Sequence, residues 1–126
     1  MKKFLIAALL LLVVLLAACR SEPLPFAGIF RDVAQPINVR VGQEFTVAVV
    51  SNPATAYMWR EEFDKKLLEV VSATFEINEE LRGTEAMLEQ HYRFKALKKG
   101  QTEVTLNLQG PDLQPVRNID FEVNIK

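Results

Sequence analysis

The 126-residue sequence sets 15 lysines and arginines against 16 aspartates and glutamates, for a formal net charge of −1, and 49% of it is hydrophobic. The charges are interspersed, which excludes the basic footprint of a nucleic-acid-binding protein, and the length fits one domain. One cysteine and one histidine exclude a disulfide framework and leave too few donors for a zinc site.

At the N-terminus Lys2 and Lys3 precede an apolar run from Phe4 to Ala18 that closes on Leu16-Ala17-Ala18-Cys19. The cations hold the start of the chain on the cytoplasmic side, the apolar run enters the bilayer, and small residues before Cys19 admit a peptidase. The run is shorter than the roughly 20 residues a spanning helix needs. Residues 1–18 therefore read as the signal peptide of a bacterial lipoprotein, and Cys19 as the acylated first residue. The protein is expected to be exported and held by its lipid in the cell membrane or outer membrane, facing the periplasm or exterior. Arg20, in place of an aspartate, leaves the outer membrane open as a destination where there are two membranes. With Cys19 used by the lipid, no thiol remains for nucleophilic chemistry. Removal of Lys2 and Lys3 takes the formal charge from −1 to −3. Residues 19–35, with Pro23, Pro25 and Gly28, alternate too little to be core and read as the lipidated N-terminus and tether. The Ile29 to Val33 end could pair as an edge strand.

From Pro36 the apolar residues recur with period two, which sends successive side chains to opposite faces of a sheet. Ile37, Val39 and Val41 lead through Gly42 into Phe45, Val47 and Val49, a pattern that predicts a hairpin. Trp59, Phe63 and Leu67 fit either a strand or one or two helical turns. A further strand is expected through Val71, Ala73, Phe75 and Ile77. Tyr92, Phe94 and Ala96 alternate with His91, Arg93 and Lys95, and across Lys98-Lys99-Gly100 this strand meets another in which Val104, Leu106 and Leu108 alternate with polar residues. The clearest strand is the last: Ile119, Phe121, Val123 and Ile125 face one way, and Asp120, Glu122 and Asn124 the other. About seven to eight short antiparallel strands with turns between them predict an all-β, immunoglobulin-like β-sandwich over residues 36–126. If consecutive strands alternate in direction, the connections at residues 51–57, 78–86 and 109–117 share one end of it.

An enzyme is not expected. His91 lies at an outward-facing position without a nucleophile beside it, and Glu61-Glu62, Glu79-Glu80 and Asp64-Lys65-Lys66 read as solvated charges. No phosphate loop is present, and no cofactor or metal is expected.

The first of the three connections holds Asn52-Pro53-Ala54-Thr55-Ala56-Tyr57-Met58-Trp59, which resembles the first signature of the chagasin family of cysteine-peptidase inhibitors, Asn-Pro-Thr-Thr-Gly-Tyr/Phe followed closely by Trp. Four of its six positions match. The spacing to the family's other two loops also fits. Gly83-Thr84-Glu85-Ala86 stands where the family has Gly-x-Gly-Gly, and Gly110-Pro111-Asp112 where it has Arg-Pro-Trp. The resemblance implies an immunoglobulin-like domain whose three loops enter the cleft of a papain-like cysteine peptidase as a wedge. Asn52 and Pro53 would fix the turn, with Thr55 nearest the catalytic thiol. It implies a protein partner, a monomer and no cofactor.

The departures bear on activity. Ala56 replaces a glycine whose φ, if positive, would strain a residue carrying a Cβ by roughly 1 kcal/mol. Glu85 and Ala86 add charge and bulk to the second loop. Asp112 and Gly110 remove an aromatic and an arginine of the kind that anchor interfaces. The alternative is a non-inhibitory immunoglobulin-like binding or scaffold lipoprotein of the cell envelope.

Overall fold

The computed structural model describes residues 22–126, so the signal segment 1–18 and Cys19 lie outside the described residues. Eight strands follow in chain order: β1 (Ile29–Phe30), β2 (Ile37–Val39), β3 (Glu44–Val50), β4 (Met58–Phe63), β5 (Leu68–Ile77), β6 (Leu88–Ala96), β7 (Gly100–Gln109) and β8 (Pro115–Ile125). A single 3₁₀ turn, Glu79–Leu81, stands between β5 and β6. The strands form two four-stranded sheets, ordered β1-β3-β6-β5 and β2-β8-β7-β4.

The period-two residues close on one another between these sheets. Phe45 and Val47 of β3, with Tyr92, Phe94 and Ala96 of β6, face Ile37, Trp59, Val104, Leu106, Phe121 and Val123 of the second sheet, all buried. Phe45 stacks on Phe94 with ring centroids 5.6 Å apart, and Phe63 meets Phe94 edge-on at 5.2 Å, both geometries that aromatic quadrupoles favour. Among the described residues the buried core runs from Ile37 to Ile125, so a chain lacking residues 1–19 keeps all of it.

Two expectations are corrected, and one left open is decided. First, β2 and β3 are not a hairpin: β2 pairs in parallel with β8, and β3 pairs with β6 in the other sheet. The turn between them, with Gly42 at φ +88° and Gln43 Oε1 accepting from the Arg40 amide at 3.0 Å, crosses the sandwich. The strands on either side of Lys98-Lys99 likewise belong to different sheets. Alternation reports which side chains are buried but not which sheet buries them, because both sheets face one core. Second, the strands are not all antiparallel, since the short edge strands β1 and β2 pair in parallel with β3 and β8. Of the two readings left open for Trp59 to Leu67, Trp59 to Phe63 is strand, ended by a turn in which the Asp64 carboxylate accepts from the Lys66 amide at 2.9 Å. A spacing of four is a multiple of two, so it does not separate helix from strand.

Two further features matter for the loop end. β5 carries a bulge between Val70 and Ser72, and Leu68 and Val70 rather than Val71, Phe75 and Ile77 meet the core. The edge strand expected near Ile29 is β1, and most of what read as tether is packed on the domain. Ala27 and Phe30 rest against the core, and the Ala27 amide donates to the Glu44 carbonyl at 2.8 Å. Gln43 Nε2 donates to the Pro25 carbonyl at 3.0 Å, while the Arg93 guanidinium lies 4.5 Å from the centre of the Phe26 ring.

Phe121 is fully buried at the centre of β8 while its neighbour Glu122 is exposed. Phe121→Ala should therefore destabilise the domain by about 3–5 kcal/mol. Glu122→Ala should change it by less than about 0.5 kcal/mol. Equal shifts in denaturant midpoint would contradict this assignment of faces.

Candidate functional site

The loops that follow β3, β5 and β7 gather at one end because their strands are paired in register. Val50 lies opposite Glu89, Ile77 opposite Leu88, and Met58 opposite Gln109. Every one of the expected loop residues, Asn52 to Tyr57, Gly83 to Ala86 and Gly110 to Asp112, lies at this end.

The first loop is rooted before it projects. Ser51 is buried, and its amide donates to the Leu88 carbonyl at 2.9 Å. The Trp59 indole donates to the Val50 carbonyl at 2.9 Å, and the Tyr92 hydroxyl donates to the Trp59 carbonyl at 3.0 Å. Both bonds join one sheet to the other. Burial pushes the Tyr92 phenol well above its ordinary range, so this donor keeps its proton at any physiological pH. Beyond the root, Asn52 closes the loop on itself: its side chain accepts from the Ala54 amide at 3.1 Å, and its carbonyl accepts from the Thr55 amide at 3.1 Å and the Thr55 hydroxyl at 2.8 Å. Pro53 fixes φ at the second position of this turn. The strain expected at Ala56 is absent, since among the described residues only Leu113 combines a side chain with positive φ.

The second loop is built around its own polar groups. Asn78 caps the 3₁₀ turn, its side chain accepting from the Glu80 amide at 3.2 Å. Arg82 grips Glu79 through two bonds of 2.7 Å on the open surface, which lowers the Glu79 pKa and raises that of Arg82. Gly83 sits at φ +86°, a conformation that favours glycine. Thr84 then bonds back to the Leu81 carbonyl at 2.6 Å, and Ala86 is only partly exposed.

In the third loop Asp112 does structural duty, its carboxylate accepting from the Gln114 amide at 3.2 Å. Gly110 is buried, and a Cβ there would stand 3.2 Å from the Tyr57 ring. Glycine at 110 lets the Tyr57 ring lie close against the third loop without a shift of a few tenths of an ångström. The residue that sequence reasoning missed is Leu113. It adopts φ +63°, a region costly for a branched side chain, and it is 68% exposed. Met58 and Phe75, at 58% and 53% exposure, were also missed as surface groups. An apolar residue inside a turn was the only available signal for Leu113.

The first loop stands between two clefts. One, of about 330 Å³, lies toward β5 between Pro53, Ala56, Tyr57, Met58 and Phe75. The other, of about 280 Å³, lies toward β8 between Asn52, Trp59, Leu108 and Arg117. Thr55 and Tyr57 line both. The arrangement is a rigid ridge with apolar flanks, suited to entering a groove on a partner, and it brings no acid–base pair or nucleophile together.

Beneath the second loop lies a carboxylate that the sequence did not single out. Glu89 is 3% exposed, and Arg31, from the segment after β1, binds it at 2.7 and 2.9 Å. His91 Nε2 is 3.1 Å away, and the Asn78 amide nitrogen 3.5 Å. The Arg31 hydrogen bond, opposed by burial and helped by His91, holds the Glu89 carboxyl at about 2. One charged cluster thereby joins the N-terminal segment, β6 and the cap of the second loop.

Comparison with known proteins places these features in context. A model of the chagasin family of peptidase inhibitors matches residues 38–126. Two solved structures share the fold with a TM-score of 0.60: the crystal structure of EhICP2, a cysteine protease inhibitor from Entamoeba histolytica, at 19% identity, and the solution structure of amebosin, at 16%. Each alignment covers 81% of this chain and 99% of the other. No curated protein matches the sequence significantly.

The Glu89 cluster gives the loop end an acid response of known sign. A carboxyl whose pKa is depressed on folding contributes stability above its unfolded value, near 4.5, and loses it as pH falls through the folded value of about 2. The native protein should lose on the order of 2 kcal/mol between pH 5 and 2 on this account, allowing for solvent screening of the half-exposed Arg31. Arg31→Gln should remove most of that slope and lower stability at pH 7. Parallel stability–pH curves for the two proteins would refute the assignment.

Proposed function

The chain belongs to the chagasin family of peptidase inhibitors, and on that footing we propose that it inhibits papain-like cysteine peptidases by seating its three-loop end in their active-site cleft. The observation that carries this reading is the first loop, a turn closed by three hydrogen bonds that Asn52 accepts and stiffened by Pro53, raised between two clefts. A segment ordered before it binds loses little conformational entropy on binding. It also resists the extended conformation that a peptidase needs for cleavage. Thr55 and Tyr57, which line both clefts, are at the tip and flank of this wedge, with Thr55 toward the catalytic thiol.

The second and third loops act differently from the family pattern. Gly83 and Thr84 shape the second loop, and Glu85 brings a carboxylate toward the partner while Ala86 packs partly inward. In the third loop Asp112 holds the turn, and Leu113, held in a strained conformation with its side chain in solvent, offers the apolar contact that the family draws from tryptophan. The inhibitor is further read as a lipoprotein of the cell envelope, cleaved before Cys19 and exported, on the strength of Leu16-Ala17-Ala18-Cys19.

Thr55→Arg puts a long cation into the tip and should abolish inhibition of papain-type enzymes while leaving the thermal melt unchanged. Leu113→Ala should raise the inhibition constant about tenfold without loss of stability. No inhibition by the native domain across a panel of papain-like peptidases would favour a non-inhibitory binding or scaffold role instead.

Cys19→Ala should leave the protein as an unprocessed precursor without lipid. Cleavage of this variant at the same bond, with native partitioning into detergent, would dismiss the lipobox reading.

A further inference from the structure

The end of the sandwich opposite the three loops has a charge character of its own. It is formed by the turn after β2 (residues 40–43), the turn after β4 (64–67), the turn after β6 (97–99) and the C-terminus. Backbone hydrogen bonds tie these together: the Gly42 amide to the Ala96 carbonyl at 2.7 Å, the Leu97 amide to the Leu67 carbonyl at 2.8 Å, and the Val41 amide to the Lys126 carbonyl at 3.1 Å. All six lysines among the described residues, Lys65, Lys66, Lys95, Lys98, Lys99 and Lys126, lie on or beside these segments, and all are exposed. Arg40 joins them. The acidic groups there are fewer or engaged. Asp64 holds its own turn, Glu44 pairs with Arg93 at 2.9 Å, and Glu69 lies in register with Lys95. The C-terminal carboxylate and Glu22, on the N-terminal segment, are added to these, and the cations remain in excess. The loop end has the opposite balance, with Glu79, Glu80, Glu85 and Asp112 against Arg82 and Arg117.

The N-terminal segment leaves the domain at the basic end. β1 runs parallel to β3, which travels toward the loops, so the residues before β1 trail toward the base. Pro25 is bonded to Gln43 there, and Leu24 lies beside Gly42. If the chain is cleaved before Cys19, three residues, Cys19 to Ser21, separate the lipid from the described chain, and at roughly 3.5 Å per residue they reach no further than about 10 Å. Val41 and Leu97, 45% and 40% exposed, project among the cations.

We propose that the basal end is a docking surface for an anionic phospholipid leaflet, which with the lipid on Cys19 holds the sandwich upright and presents its loops to the aqueous compartment. Cations within a Debye length of such a leaflet are attracted to its headgroups, and one acyl chain combined with a basic patch binds far more durably than either alone. The ten residues of β7 span roughly 30 Å, so the loops stand about that far above the headgroups. The partner this geometry admits is a peptidase free in solution on that side, rather than one embedded in the same leaflet. The orientation rests on the lipid-bearing reading of Cys19, whereas the docking surface does not.

The test uses the lipid-free chain from residue 20 to 126, which retains the whole core, and vesicles of phosphatidylcholine alone or with about a third phosphatidylglycerol. Co-sedimentation at low salt should retain at least about tenfold more protein on the anionic vesicles, falling steeply between about 50 and 300 mM salt. Lys65→Gln, Lys98→Gln and Lys99→Gln together should reduce that binding about tenfold with an unchanged thermal melt. Arg60→Gln, Arg82→Gln and Arg117→Gln, removing as much charge elsewhere, should leave it within about twofold. Equal binding to both kinds of vesicle, or equal loss in the two triple variants, would overturn the proposal. No lipidated protein enters this assay, so its failure leaves the anchor and the inhibitor readings to their own tests.

Discussion

Two hydrogen bonds that cross between the sheets at Trp59 hold the loop end in place. The indole reaches the last carbonyl of β3, and the Trp59 carbonyl receives the hydroxyl of Tyr92. The chain leaves one sheet at Val50 and joins the other at Met58, so the two ends of the first loop belong to different layers. Without a polar tie between those layers the loop would inherit any sliding of one sheet on the other. Apolar packing resists separation, but it is non-directional. A buried hydrogen bond is not, because leaving its donor unsatisfied costs about 1–3 kcal/mol. The rigidity of the Asn52 turn is useful only because its root is fixed in this way.

A second constraint acts from the opposite side. Arg31 belongs to the stretch of chain that enters from the base, yet it neutralises Glu89 directly beneath the second loop. Both ends of the molecule are thus joined by the N-terminal segment, which runs along β3 and finishes in an ion pair. Removing either partner leaves the other in a poor environment, most severely for the buried carboxylate. The segment that reads as linker is therefore part of the fold that shapes the loop end.

How much of this was legible in the sequence follows from what alternation encodes. The burial of Phe121, Val123 and Ile125, and of Tyr92, Phe94 and Ala96, was written in period two, as was the gathering of the three loops once strand directions were counted. Sheet membership was not. Ile37 and Phe45 alternate in one continuous pattern although Gly42 carries the chain from one layer to the other. The bulge at Val71 was equally silent, since one extra residue shifts faces without changing composition. Glu89 could not be found because its partner lies 58 positions earlier, inside a stretch dismissed for lack of pattern. The family signature did not reveal the local chemistry of the loops: Asp112 forms a turn with the Gln114 amide, and Ala56 is unstrained.

The contact between Gly110 and Tyr57 makes the first and third loops dependent on each other's history. Tyr57 is among the positions that agree with the family signature, and its ring would stand 3.2 Å from a Cβ at 110. An arginine at 110, the residue that the resemblance gives the family there, therefore needs Tyr57, itself 44% exposed, to move aside by a few tenths of an ångström. A change at 110 is thus felt in the first loop through Tyr57, and a change at the exposed Leu113 through the shallow cleft it shares with Ala56 and Met58, so the two loops are read by a partner as one surface.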